Sequence, residues 1–480
     1  MADPSLIQTG EPDPAPDGVD SVAAPPPLPA AAGGPARDAR RAFLAAAGTR
    51  VFLVAVALIT TFTVGLRARP VFMRDPAHIE VFTGFARRLL EPWANWDGVW
   101  FIRIAAAGYH SHAFSQAFFP LYPAAVRIVA PIAGHFYVVA GVAVSLACYA
   151  AAMVLLYRLA LLERGSRVAL WSVVFISVFP TAFFFQAVYS ASMFLLLTLL
   201  SFSAGRRGRW WLAGVAGLLA ALTRSSGLLL LLPLALMWWE QRRGLPLRLP
   251  GGPAEATPPL PGSASATAAA PSAGSVPAVA AAPPAGPVSA LRRPPVLSLG
   301  WLLLVPAGLG LYMAYLWRAF SDPFLFSAVQ GFWGRRSSLP PAAVWDGAVA
   351  AYDGVRWLVL HGLGALLSGP HTVSGGLQSD VIANPLEFLA LLTAVVLVVV
   401  CWRKLPAAYT VYGLAALLFP LLYPTTARPL DSLPRFLAVV FPLFIALAAG
   451  VVERPVWRWT VVALFGSLLV LATVLFASFI

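Results

Sequence analysis

FYVVAGVAVSLACYAAAMVLL, residues 136–156, carries no charge and ends against Arg158, Arg164 and Arg167. As a helix rising about 1.5 Å per residue it spans a hydrocarbon core roughly 30 Å thick, which sets the reading of the whole chain. Comparable apolar runs recur at Val51 to Val64, Phe388 to Val400 and Trp457 to Leu475. The chain is 59% hydrophobic and 11% charged, against about 45–50% and 25% for a soluble domain, so a soluble globular protein is excluded. The net charge of +13 sits in short clusters at the ends of apolar runs. That is the positive-inside pattern of a membrane protein, not a nucleic-acid surface. Lys404 is the one lysine, and the bias toward Arg, Ala, Pro and Gly is that of a GC-rich genome of the bacterial kind. Cys148 and Cys401 both fall within apolar runs, which suits packing and provides neither a disulfide framework nor a metal cluster.

The basic clusters order the crossings. Arg37, Arg40 and Arg41 place the N-terminus in the cytoplasm. Residues 1–42 read as a disordered cytoplasmic tail, and 43–239 as an N-terminal transmembrane part containing a long outside loop at 67–135. Between Arg209 and Arg242 both flanks are basic, yet the stretch is too short for two full spans. It reads as a short helical hairpin turning at Thr223 to Gly227, tolerated at that depth where it lines a cavity. Residues 240–297, rich in Pro, Ala, Gly and Ser, form a flexible cytoplasmic insert. Residues 298–480 are the C-terminal transmembrane part, with a second outside loop at 321–385. The expectation is an all-α polytopic protein with about eleven membrane segments, long non-cytoplasmic loops and the N-terminus inside. No internal repeat is visible, which weighs against a transporter built on inverted halves.

In the first outside loop, Trp93, Trp96, Trp100 and Ile104 recur at helical spacing, as on an interfacial helix with one aromatic face toward the membrane. Asn95 suits its N-cap, and Asp97 lies in the first turn. Position alone leaves two readings of Asp97: a capping acid, or a carboxylate with chemistry to do. In the latter case it stands where a membrane-embedded substrate would meet water. His110 and His112 could supply an acid, a metal ligand or neither. Should Asp97 only cap, a base would be sought at Asp322, Asp346 or Asp353.

The run WDGVWFIRIAAAGY, Trp96 to Tyr109, followed by FFPLYP, Phe118 to Pro123, resembles the signature of the GPI mannosyltransferase II (PIG-V-like) family. The resemblance continues in order. Ala187, Val188, Tyr189 and Ser190 resemble its Tyr-Ser-Glu segment, with Ala191 where the family often has Glu. Leu222 to Gly227, LTRSSG, resembles its Leu-Thr-Arg-Ser motif, and Leu433 to Phe436, LPRF, its C-terminal Pro-Arg motif.

What the resemblance implies is a GT-C-type helical bundle, a hexosyltransferase passing mannose from a polyisoprenyl-phosphate mannose to a lipid-linked acceptor on the outside face of the cell membrane. Such chemistry asks for a carboxylate to take the proton of the attacking hydroxyl and cations to hold the leaving phosphate. Asp97 suits the first role. Arg224, Arg435 and Arg428 suit the second: an arginine in a membrane turn or an outside loop is costly or out of place unless something anionic meets it. Trp96, Tyr109, His110, Tyr122, Tyr189 and Ser190 are the expected substrate pocket. A divalent metal is left open, nucleic acid is not expected, and a lipid transporter or flippase is the rival reading. Arg335 and Arg336 in the second loop could meet the acceptor's phosphate, or form a solvated basic turn.

Overall fold

The computed structural model describes residues 35–66, 69–244, 293–362, 372–373, 376–426 and 428–478. Apart from a hairpin of two-residue strands, Thr372–Val373 against Gly376–Leu377, and an isolated bridge between Arg335 and Thr425, the regular structure of the described residues is helical. Five helices are long and apolar enough to cross a membrane: Pro35–Thr63, Tyr137–Arg164, Val296–Phe320, Ile382–Lys404 and Pro455–Ala477. The protein is therefore an all-α polytopic membrane protein, as expected.

Five shorter apolar helices, Ser166–Val178, Ala191–Arg206, Trp210–Thr223, Ala407–Leu421 and Phe441–Val451, together with Leu231–Arg243, complete the expected segments. Ala191–Arg206 has almost every residue buried, so it meets protein rather than lipid and need not match the bilayer thickness. The hairpin read from the two basic flanks is present as Trp210–Thr223, a 3₁₀ turn at Ser225–Leu230, and Leu231–Arg243. It packs against the Leu304–Phe320 helix through glycines. A Cβ at Gly214 would lie 2.1 Å from the Trp301 carbonyl oxygen, and one at Gly308 2.3 Å from that of Leu218. Such backbone approach is how helices associate where no hydrophobic effect separates them from lipid.

Polar contacts divide the bundle into two ends. At one end Tyr157 donates to the Pro35 carbonyl, Ser166 to Asp38, Arg164 to the Lys404 carbonyl and Lys404 to that of Ala449. Arg206 pairs with Glu163, which also accepts from Tyr409, and Arg242 donates to the Pro294 carbonyl. Every basic cluster read as belonging to one side is gathered there. At the other end lie Asp97, Tyr189, Arg224 and Arg435.

Three expectations are corrected. The first helix starts at Pro35, inside the stretch read as tail; the remaining tail, residues 1–34, and most of the insert, 245–292, lie outside the described residues. The aromatic stripe does not lie on the membrane. Trp93 belongs to a separate 3₁₀ turn, and the Asp97–Ala107 helix is buried along most of its length under neighbouring segments. The turn expected near Tyr189 does join two helices, but it is buried within the protein rather than exposed at its surface. The Ser166–Val178 helix stops short, and Phe179 to Ser190 folds back inside the protein, with Tyr189 fully buried.

That early stop leaves helix-end carbonyls without partners, a costly state in a bilayer. Arg50, in the first helix, supplies them: its guanidinium donates to the carbonyls of Ser177 (2.9 Å) and Ala182 (2.6 Å) and sits over the Tyr149 ring.

Candidate active site

Asp97 opens its helix after a strained residue. Trp96 has φ 55° and ψ −124°, a left-handed region that a side chain rarely occupies and that persists only when neighbours enforce it. Tyr189 does the enforcing. Its hydroxyl donates to the Asn95 carbonyl (3.1 Å) and accepts from the Asp97 N–H (3.0 Å), so one buried phenol brackets the kink. Asn95, expected as the N-cap, is used otherwise. Its amide donates to the Phe476 carbonyl (2.8 Å) and its side-chain oxygen accepts from Arg69 (2.9 Å). The N-cap position is Trp96, which makes no side-chain cap bond, and Asp97 is the acid of the first turn.

The Asp97 carboxylate pairs with Arg435, 338 residues further along the chain. Arg435 comes from the short Leu433–Ala438 helix, whose entry is held by Thr181 donating to the Pro434 carbonyl (3.0 Å). Its guanidinium lies against the rings of Phe184, Tyr189 and Phe436. Burial is the strongest single influence and works against the charge, but Asp97, Tyr189 and Asp431 together outweigh it and hold the guanidinium above its usual range.

Arg224 reaches the same place from the hairpin turn. Its Nε donates to the Ser190 hydroxyl (3.0 Å), it faces the Phe194 ring, and Asp97 and Arg435 both act on it electrostatically. Gly227 makes the turn possible: a Cβ there would lie 2.4 Å from the Ala221 nitrogen. A third cation, Arg335, pairs with Asp431 (3.7 Å) and feels both Arg435 and Asp97; burial lowers its guanidinium below the usual range, against the pull of Asp431. Arg435 thus pairs with the Asp97 carboxylate, Arg224 and Arg335 lie within its electrostatic reach, and Asp431 holds Arg335. The excess is cationic, and it suits a phosphate.

Of the residues expected at the site, Asp97, Arg224, Arg435, Tyr189, Ser190 and Trp96 are brought together. Arg428 is not; it pairs with Glu387 and Asp431 beside the cluster. Three pocket expectations are corrected. Tyr122 is buried in the core, its hydroxyl between the Gly141 carbonyl (3.0 Å) and Ser145 (2.8 Å). Tyr109 is buried against Tyr312, donating to the Phe118 carbonyl (2.7 Å). His110 stacks on Phe320 with ring centroids 4.5 Å apart. Among the described residues no three His, Cys, Asp or Glu side chains are grouped to hold a metal ion. Phe184 escaped the sequence reading, because within the run Phe183 to Phe185 nothing distinguishes it from a lipid-facing ring.

A family model described as Mannosyltransferase (PIG-V) matches residues 50–237. Over 151 residues the chain is 32% identical to GPI alpha-1,6-mannosyltransferase 2 of Mus musculus, covering 29% of this chain and 30% of the mouse protein. The chain therefore aligns with less than a third of that relative's length. No solved structure matches. Arg435 lies beyond the matched stretch, yet the fold returns it to Asp97 within that stretch. Over residues 50–237, which carry Asp97, Tyr189, Ser190 and Arg224, the chain is PIG-V-like in sequence.

Proposed function

We propose that the chain is a membrane mannosyltransferase that takes mannose from a polyisoprenyl-phosphate mannose and attaches it to a hydroxyl of a lipid-linked acceptor on the non-cytoplasmic face of the cell membrane. The observation that carries this reading is the Asp97 carboxylate paired with Arg435 at one end of the bundle, within electrostatic reach of Arg224 and Arg335. In the proposed reaction the acceptor oxygen bonds to the anomeric carbon as the bond to the phosphate oxygen breaks. Asp97 takes the hydroxyl proton, and the electron pair leaves with the lipid phosphate. A donor phosphate entering the cluster competes for Arg435 and releases a carboxylate oxygen of Asp97 toward the hydroxyl. Arg224 and Arg435 then stabilise the departing charge, the kind of pre-set electrostatics that lowers a barrier most in a site shielded from water.

The rival reading, a lipid transporter or flippase, asks for ionisable groups free to exchange partners along the spans. Arg50 is such a mid-span charge, but both its bonds go to backbone carbonyls, those of Ala182 and Ser177, so it serves the fold.

The test supplies purified protein in lipid with radiolabelled polyprenyl-phosphate mannose and a membrane lipid extract. Label should pass to a second, more polar lipid in the wild type and remain on the donor in Asp97→Asn. Movement of intact donor between leaflets without a new labelled lipid would overturn the proposal.

A further inference from the structure

Behind the arginine cluster the second outside loop encloses an open cavity of about 550 Å³, within the roughly 300–1,000 Å³ range of ligand sites. A backbone ladder separates the two. Arg335 bridges Thr425, the Arg336 N–H donates to the Pro424 carbonyl (3.0 Å), and the Ser338 N–H to that of Leu422 (3.0 Å). Arg335 points to Asp431 and Phe436 on the site side, whereas Arg336, Ser337 and Ser338 line the cavity.

The far wall is one face of the Pro340–His361 helix, where Trp345, Asp346 and Asp353 are spread over a little more than two turns; Thr425 and Thr426 also line the cavity. Trp345 is 70% exposed, and neither Asp346 nor Asp353 makes an ion pair among the described residues. An exposed indole, two unengaged carboxylates and two threonines are groups that suit a sugar ring. The C–H face of a pyranose stacks on an indole, and its hydroxyls donate to carboxylates in charge-assisted bonds. A polyanion would meet the two carboxylates. A bound cation lacks a third acid or histidine, since no such group exists among the described residues.

We propose that this cavity is a glycan-recognition site that holds the sugar part of the acceptor. Its place one ladder away from Asp97 lets it seat a sugar residue remote from the hydroxyl being glycosylated, and so set which acceptors are used. The identity of that glycan as acceptor rests on the proposed transferase reading; the binding of sugar does not. Titrating mannotriose into the purified full chain should give saturable quenching of tryptophan emission, in wild type and in Asp97→Asn alike. Trp345→Ala should abolish the quench, and Asp353→Asn should weaken binding at least tenfold by saturation-transfer NMR. Both side chains are exposed, so each variant should melt like the wild type, and donor binding should not change. In turnover assays Asp353→Asn should raise the acceptor KM and leave kcat alone. No binding by the wild type, binding that survives both substitutions, or quenching by Mg²⁺ or Ca²⁺ in place of the glycan would each overturn the site. Sugar binding without any mannosyl transfer would overturn the transferase reading and leave the site standing.

Discussion

Replacing Asp97 by Asn keeps the side-chain size and removes the proton acceptor. Turnover should fall at least about a hundredfold, the lower end of what a general base contributes, with donor affinity little changed in an equilibrium binding assay. Arg435→Ala should weaken donor binding as well, because in the proposed reaction the guanidinium that pairs with Asp97 also meets the phosphate. Tyr189→Phe removes both bonds that hold Asn95 and Asp97 about the strained Trp96. At about 0.5–1.5 kcal/mol net for each bond, turnover should drop roughly tenfold with an unchanged donor Kd. At this scale Asp97, Arg224 and Arg435 stood out as candidates because a charge in apolar surroundings demands a reason. Tyr122 and Tyr109 were misjudged because a tyrosine in a motif reads alike whether its hydroxyl meets a substrate or the Gly141 and Phe118 carbonyls.

Helix existence followed from apolar runs bounded by arginines, and the hairpin between Arg209 and Arg242 followed from the parity of its charged flanks. What the sequence could not show was which helices stop early. Ser166–Val178 ends where Arg50, 127 residues away from Ser177, can take its carbonyls, and no local signal encodes a partner so distant. For the same reason the Trp93 to Ile104 stripe was read as lipid-facing: periodicity gives a face but not what covers it. Gly227 offers a test of the element as a device for placing a charge. Gly227→Ala forces a Cβ against the Ala220 and Ala221 backbone. The turn must open and Arg224 withdraw from Ser190. Donor affinity should fall at least about tenfold, as for loss of one charged contact of about 1.5–3 kcal/mol, although no reactive group has been altered. Normal donor binding in a well-folded Gly227→Ala protein would show that Arg224 is not held for the phosphate.

Two ends of one bundle carry different chemistry, and their orientation can be measured. In a variant with Cys148 and Cys401 replaced, a cysteine near Ser338 should react with an impermeant thiol reagent in intact cells, whereas one near Ser265, in the insert outside the described residues, should be protected. The reverse pattern would place Asp97 in the cytoplasm. Removing residues 252–290 should leave insertion and turnover intact, since their composition cannot build a core; loss of turnover in a normally inserted protein would give that stretch a role. The pairing of Asp97 with Arg435 also bears on how the molecule is made. Chains fold from the N-terminus as they are synthesised, so Asp97 is in place while the helices from Leu304 onward do not yet exist. Until Arg435 is synthesised the acid has no counter-charge from it, and the proposed phosphate site lacks a principal cation. A product that stalls before Arg435 should therefore transfer no mannose.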